Sequence, residues 1–555
     1  MIFSACSPLP AGEQVLDTPV MELAIGGLFF ALLTAVLMAP LMRRRYRQKV
    51  SRLMGLNQLG VAGADAPAEP NCVPEPEPEM APESRLGTSD AAGLAALARQ
   101  RERRIQRASL AAWAAWVALP GLFLLLGHAG SPLADALGFS AVAALVGLGA
   151  VQNNWPAGRR WRLPGLGLSS CALAALVCWS AWPANAAEAK ETSAGEALFL
   201  GLLVGATYFV SLHRSLRGQV LPLFIIVLSG LCVAGAALVL LQSQLGSCWA
   251  DLASPKAGTG LQLLGALSNS LLMLLGTWAG FAALALVVRV LERGWLSEVS
   301  LISLYTLVVW AAILSAAYAT EFSPSPGSGA ALLLVWLGGT VASYALALGR
   351  ELDAGHGPQL LMLRVFSADS RRHDLLDLLQ GRWRFVGAVH QIGGPDMVAM
   401  NVDPYELMKF LANRLHELFL PTGISRADLQ ARLLTQPDKE GRYRINEVFC
   451  FNTAWQATVV QLMQLSPAIV LDLRGMTKHR AGTGFEIKQL AQLGLLHRVV
   501  AVGGRDTDWL HIDLLLREAG QQPSALQRLS EDEGSLAADL FARLLLVAAD
   551  AGGRE

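Results

Sequence analysis

The chain is 555 residues long, 53% hydrophobic and only 16% charged, with a mean hydropathy of +0.41, whereas an average soluble globular protein carries about 25% charged residues. That composition excludes a conventional soluble enzyme and points to lipid. The 44 Lys+Arg equal the 44 Asp+Glu, so no global field recruits nucleic acid or an acidic partner, and the seven cysteines fall without any CxxC pair, which leaves no disulfide framework or zinc site to argue.

Crossing about 30 Å of hydrocarbon takes about 20 apolar residues. Nine runs of that kind are predicted: 21–42, 109–127, 133–152, 163–183, 196–212, 220–242, 260–288, 297–319 and 328–349. The first, with its tail making up residues 1–52, reads as a signal anchor, because its cluster of Arg43, Arg44, Arg45 and Arg47 follows the apolar run. Residues 53–108 read as a linker: a disordered Pro/Glu-rich stretch, AGADAPAEPNCVPEPEPEMAPES, then the basic segment RQRERRIQR. That segment is either a phosphate-binding strip or a topology signal at the foot of the second span. Eight further spans occupy 109–350. Arg and Lys concentrate in alternate loops, which predicts a multi-pass bacterial inner-membrane protein with its N-terminus outside and everything after residue 350 in the cytoplasm. The spans lack the mid-depth ionisable groups of ion-coupled transporters.

Residues 356–555 hold 22 Lys+Arg and 23 Asp+Glu, about half of all the charge. Strands are predicted at 359–366, 383–392, 444–451, 467–475 and 497–504. Between them lie helices starting at Asp369 or Ser370, from the capping box Asp403-Pro404-Tyr405-Glu406 to Leu420, and over 425–435, 453–465, 484–494, 507–519 and 535–549. PDKEGRY (437–443) reads as a polar turn. The alternation predicts an α/β domain with a flavodoxin-like parallel sheet. Ligands of such sheets sit beyond the C-terminal ends of the strands, which nominates Ser367, Asp369, Gly393, Gly394, Asp396, Asp472 and Arg474. Two readings stand for Gly393-Gly394-Pro395-Asp396, amides open to a phosphate or a plain turn. Asp472 and Arg474 either bind a ligand or pair with each other. His373, His390 and His479 have unrelated spacings, so no metal site is predicted.

A first strand ending in Phe366-Ser367-Ala368-Asp369, a Trp-bearing helix TAWQATVVQLMQLS running into AIVLDLRG, and then GTGFEIKQL together resemble the Toll-type (TIR) domains. The resemblance covers about residues 359–504. It implies a flavodoxin-like fold, NAD as a substrate, and a catalytic role for Glu486, which occupies the place of the glutamate used by the family's NAD-cleaving members. Thr483-Gly484-Phe485 stands where the family carries Trp-Cys, and Thr483 joins the candidate ligand residues. On physical grounds alone, Glu486 in a first helical turn is either a dipole-stabilised, ionised carboxylate or, if it faces an open crevice, a group able to stabilise a developing positive charge. Three functions follow as expectations: a signalling or regulatory protein whose α/β domain binds a nucleotide or a protein partner, a membrane-anchored NAD-cleaving enzyme, and a transporter with a regulatory domain. The partners expected are the lipid bilayer, a nucleotide or protein, and a second copy of the chain; nucleic acid is not.

Overall fold

A computed structural model describes residues 20–55, 91–127, 259–321, 326–349, 357–365, 381–393, 404–420, 423–451, 454–531 and 536–552, with a short helix at Pro222–Leu231 and isolated positions beside these. The apolar part consists of α1 (Val20–Met54), α2 (Ala91–Gly127), α3 (Pro222–Leu231), α4 (Thr259–Glu292), α5 (Glu298–Glu321) and α6 (Pro326–Leu348). Among the described residues three stretches are long and apolar enough to cross a membrane: Ala91–Leu126, Ser270–Glu292 and Ala331–Leu348. The expected count of nine is therefore not reached. The spans 133–152, 163–183 and 196–212, and part of 220–242, lie outside the described residues.

Small and aromatic residues set the helix crossings. A Cβ on Gly276 would sit 2.7 Å from the Gly230 carbonyl oxygen, so α3 and α4 meet backbone to backbone at glycine, as close-packed membrane helices do. The rings of Trp116 in α2 and Trp336 in α6 lie 4.4 Å apart, both fully buried. Trp336 Nε1 donates to the Trp116 carbonyl at 2.8 Å, which removes the indole's one unmet polar group from the apolar surroundings.

Seven strands form one parallel sheet: β1 (Leu360–Arg364), β2 (Val389–Ile392), β3 (Phe419–Leu420), β4 (Ile445–Cys450), β5 (Ala468–Asp472), β6 (Val499–Gly503) and β7 (Gln527–Ser530), in the order β3-β4-β2-β1-β5-β6-β7. The alternation of strand side chains divides the core cleanly. Leu361, Leu363, Ile469, Leu471, Val499 and Ala501 face one layer, with α9 (Trp455–Leu465), α10 (Ala481–Gln492) and α11 (Trp509–Glu518) over them. Leu360, Met362, Ala468, Val470, Val500 and Val502 face the other, under α12 (Leu536–Gly552) and the first half of α2.

That second layer corrects the predicted domain boundaries. Residues 91–108 are helix rather than linker, and Leu94, Ala98 and Ile105 are buried against the sheet beside Leu540 and Leu544. The physical reason is the spacing 94, 98, 101, 105, one stripe of a helix, which gives the α2 extension a face that the sheet needs covered. Arg101, 2% exposed, belongs to this stripe: it lies over the Tyr443 ring at 5.1 Å and donates to the Phe385 carbonyl at 2.8 Å. Arg104 donates to the Gly349 carbonyl at 3.1 Å. The basic segment is thus a structural joint, beyond either of its two predicted roles.

The end of α1 does the same on the β3–β4 side. Tyr46, Val50 and Met54 are buried with Leu407, Leu415, Phe419 and Phe449, and Tyr46 Oη donates to Glu406 Oε2 at 2.7 Å. The carboxylate read as half of a capping box is therefore turned toward α1. The predicted polar turn 437–443 is a buried strap between sheet and bundle. Tyr344 of α6 donates to Glu440 Oε1 at 2.8 Å, Arg442 Nη1 donates to Ser297 Oγ at 2.8 Å, Lys439 N donates to the Gly294 carbonyl at 3.1 Å, and Arg444 donates to the Leu291 carbonyl. Within the strap Asp438 Oδ1 accepts from the amides of Glu440 and Arg442 at 3.0 and 2.9 Å. Burial, and then the charge of Glu440, push the Asp438 carboxyl well above its ordinary value.

Three local expectations also change. The helix begun at Pro404 stops at Leu411, where α7 (Pro404–Leu411) gives way through Asn413, at φ +57°, to a short 3-10 turn and β3, ahead of α8 (Arg426–Arg432); asparagine tolerates the left-handed conformation that ends a helix. The predicted strand 383–392 is a 3-10 turn at Trp383–Phe385 before β2. Strands β3 and β7, short and lying at the two sheet edges, carry no readable pattern. Finally, a flavodoxin-like order leaves β2 at an edge, whereas here β4 and β3 continue beyond it. With the two-residue β3 set aside, the order is the 3-2-1-4-5-6 of a doubly wound dinucleotide-binding sheet.

Candidate functional site

The strand order reverses between β1 and β5, whose partners run from Leu360↔Ala468 to Arg364↔Asp472. A doubly wound sheet opens its ligand crevice at that point, beyond the C-terminal strand ends. The bundle joins mostly at the opposite, N-terminal strand ends: the strap runs directly into β4, Tyr443 N donates to the Arg384 carbonyl, and Arg101 meets Phe385 just before β2.

Of the predicted residues, Ser367, Asp369, Gly394 and Asp396 lie outside the described residues. Gly393 closes β2. Its amide donates to the Val448 carbonyl at 3.0 Å, and a Cβ there would sit 2.8 Å from the Phe449 ring. Its glycine serves ring packing, and its N–H is committed to the sheet rather than open to a phosphate. Asp472 and Arg474, 2% and 4% exposed, take their pairing reading. Arg474 donates in parallel from Nε to Asp472 Oδ1 at 2.9 Å and from Nη2 to Oδ2 at 2.8 Å, and its Nη1 reaches Glu531 Oε1 at 3.2 Å. This fork is the strong form of a guanidinium–carboxylate pair. Gly504 makes room for it, since a Cβ there would fall 2.8 Å from Glu531 Oε2. Thr507 seals the neighbouring loop by donating to the Leu473 carbonyl at 2.9 Å and accepting from Gly504 N at 2.8 Å.

Glu486 departs from both of its readings. Helix α10 starts at Ala481, so Glu486 sits in the second turn, where the dipole has faded. It is 2% exposed, on the buried face of α10 with Thr483, Gly484, Ile487 and Leu490. Its Oε2 has no hydrogen-bond partner. Burial pushes its carboxyl up to about 8, with the charge of Arg364 acting weakly the other way. At neutral pH the group is a neutral acid, able to donate a proton or a hydrogen bond, and the ionised carboxylate of the dipole reading is not its resting form. Thr483, 2% exposed, is buried one turn before it.

The sequence reasoning passed over Arg364. Its signal was a lone guanidinium inside the apolar run QLLMLRVF, which the structure sets in register with Asp472. Glu531 was missed because it follows β7, a strand with no apolar pattern. Among the described residues no three His, Cys, Asp or Glu side chains come together in a way that would hold a metal ion. His390, fully buried in β2, is pushed down to about 4 by burial and meets Gln359 Oε1 at 3.1 Å, so it is a neutral core histidine.

No protein-family model, no curated protein and no solved structure matches the chain.

Proposed function

We propose that the chain is a multi-pass membrane protein of signalling or regulatory type, in which a nucleotide bound at the β1/β5 crevice is communicated to the membrane helices. The observation that carries this reading is the continuity of α2 from an apolar span into the core of the sheet domain, where Leu94, Ala98 and Ile105 pack with Leu360 and Met362. A domain that merely needed tethering would need only a linker. Here a shift of the sheet must move the helix, because packed interiors switch between arrangements rather than deform continuously. The strand order and the neutral acid beside Arg364 at the reversal point support a nucleotide as ligand.

The finer topology belongs to the same proposal. The end of α1, the start of α2, the end of α4, the start of α5 and the end of α6 all meet the sheet domain. They are the ends that loop charge assigns to one side, the cytoplasm of a bacterial inner membrane. An even number of crossings then separates α2 from α4, in keeping with the four expected between them.

The test uses the full chain in detergent, because residues 91–108 complete the sheet's second layer. Hydrogen exchange is followed while ATP, GTP, NAD or NADH is added. The expected result is that a nucleotide protecting 360–365 and 483–490 also changes exchange in 91–108. Protection confined to the crevice, or binding by none of the four, would sink the reading.

The resemblance to Toll-type domains supplies a second reading, cleavage of NAD through Glu486, which requires that residue to open to the crevice and ionise when substrate binds. Nicotinamide release that disappears in Glu486→Gln would put this reading first.

A further inference from the structure

An apolar cavity of about 470 Å³ lies between α4 and α5, walled by Leu286, Val287, Val290, Leu296, Leu301 and Leu304. Its size falls in the range of roughly 300–1,000 Å³ usual for small-molecule sites. Its mouth carries Trp295, 48% exposed, with two cations on its ring: Arg293 at 5.4 Å and Lys439 at 5.7 Å from the centroid. Three observations select an occupant. The wall is the last turns of Ser270–Glu292, a stretch long and apolar enough to span a membrane, and its Leu286 is 60% exposed, so the cavity's apolar end lies at bilayer depth. An exposed tryptophan at such a helix end marks the headgroup level. Two cations at that level complement an anion.

We infer that this cavity binds an anionic phospholipid of the leaflet facing the sheet domain, one acyl chain between α4 and α5 and the phosphate on Arg293 and Lys439. Lys439 belongs to the strap, and its amide holds the α4–α5 turn at Gly294 O. The lipid therefore touches the joint itself, and headgroup charge becomes an input to it.

The full chain is reconstituted into phosphatidylcholine vesicles carrying dibrominated phosphatidylcholine or dibrominated phosphatidylglycerol. The quenching that belongs to Trp295 is the difference between the natural protein and Trp295→Phe. The brominated phosphatidylglycerol is expected to quench it more strongly at equal content. Lys439→Gln lowers that preference roughly fivefold, Arg293→Gln/Lys439→Gln roughly thirtyfold, and Lys439→Arg restores it. Val290→Phe, which narrows the cavity without changing charge, lowers quenching by both lipids. Equal quenching by the two headgroups, a preference untouched by the double change, or competition by soluble glycerol phosphate, which would mark a free-phosphate site, overturns the inference.

Discussion

The two ends of the sheet's strands bury charge in opposite ways. At the end joined to the bundle, Tyr344 of α6 donates to Glu440 Oε1, Asp438 accepts from the Arg442 amide, and the Arg442 guanidinium lies 3.8 Å from Glu440 Oε2, so charges of both signs from strap and bundle gather across the boundary. Beyond the C-terminal strand ends, Asp472 and Arg474 close on each other, while Glu486 stays neutral with an unpartnered oxygen. Buried charges of both signs, contributed from the two sides of a boundary, join two bodies and specify their arrangement. A buried acid left unmatched is a cost the fold carries, and such costs concentrate where a ligand or a reaction makes use of them.

The largest effect expected to test this contrast is Arg474→Ala, which strands Asp472 in the core. It should destabilise the detergent-solubilised chain by about 3–5 kcal/mol in thermal unfolding, with Asp472→Asn/Arg474→Met losing much less. A small loss in the single variant would mean that Asp472 reaches water.

Glu486→Gln comes next and acts through pH. The folded state holds this proton to about pH 8, whereas the unfolded chain releases it near its ordinary 4.5, so the contribution is fully present below pH 4.5 and is lost as pH rises toward 8. The glutamine variant keeps the neutral shape. It should match the natural protein at pH 5 and exceed it at pH 8.5 by a few kcal/mol. Parallel pH profiles for the two proteins would show that Glu486 ionises freely.

At the joined end, Tyr344→Phe deletes one bond to buried Glu440 and should cost about 1–2 kcal/mol. It should also raise hydrogen exchange in 437–444, which no change at Arg474 ought to do. Smallest is Asn413→Gly, where a left-handed backbone already stands at φ +57°; stability should stay within about 0.5 kcal/mol, against a loss of about 1 kcal/mol for Asn413→Ala. Equal losses for glycine and alanine would assign Asn413 a side-chain role.

Much of the candidate site was legible from residue order. AIVLDLRG announces a buried strand with charges at its end, and the Asp472–Arg474 pairing follows from their separation by one residue. The state of Glu486 was not legible, because a carboxyl's preferred form depends on what covers it, and the cover here is α10 packed on β1. Residues 91–108 were misjudged for a related reason: an acidic, proline-rich stretch precedes them and five arginines punctuate them, so charge masked the stripe of Leu94, Ala98 and Ile105.

Local sequence alone determined that apolar helices of membrane-spanning length exist, that a parallel α/β sheet follows them, and where four of its strands run, with the end but not the start of β2. Those properties depend on hydropathy and on periods of two and 3.6 residues, which neighbouring positions carry between them. Only the tertiary structure decided that α1 and α2 reach into the sheet domain, that the turn at 437–443 is a buried strap, and that Glu486 holds its proton. Each of these depends on groups about a hundred or more residues apart removing one another from water, and desolvation is a property of the assembled surface rather than of any segment.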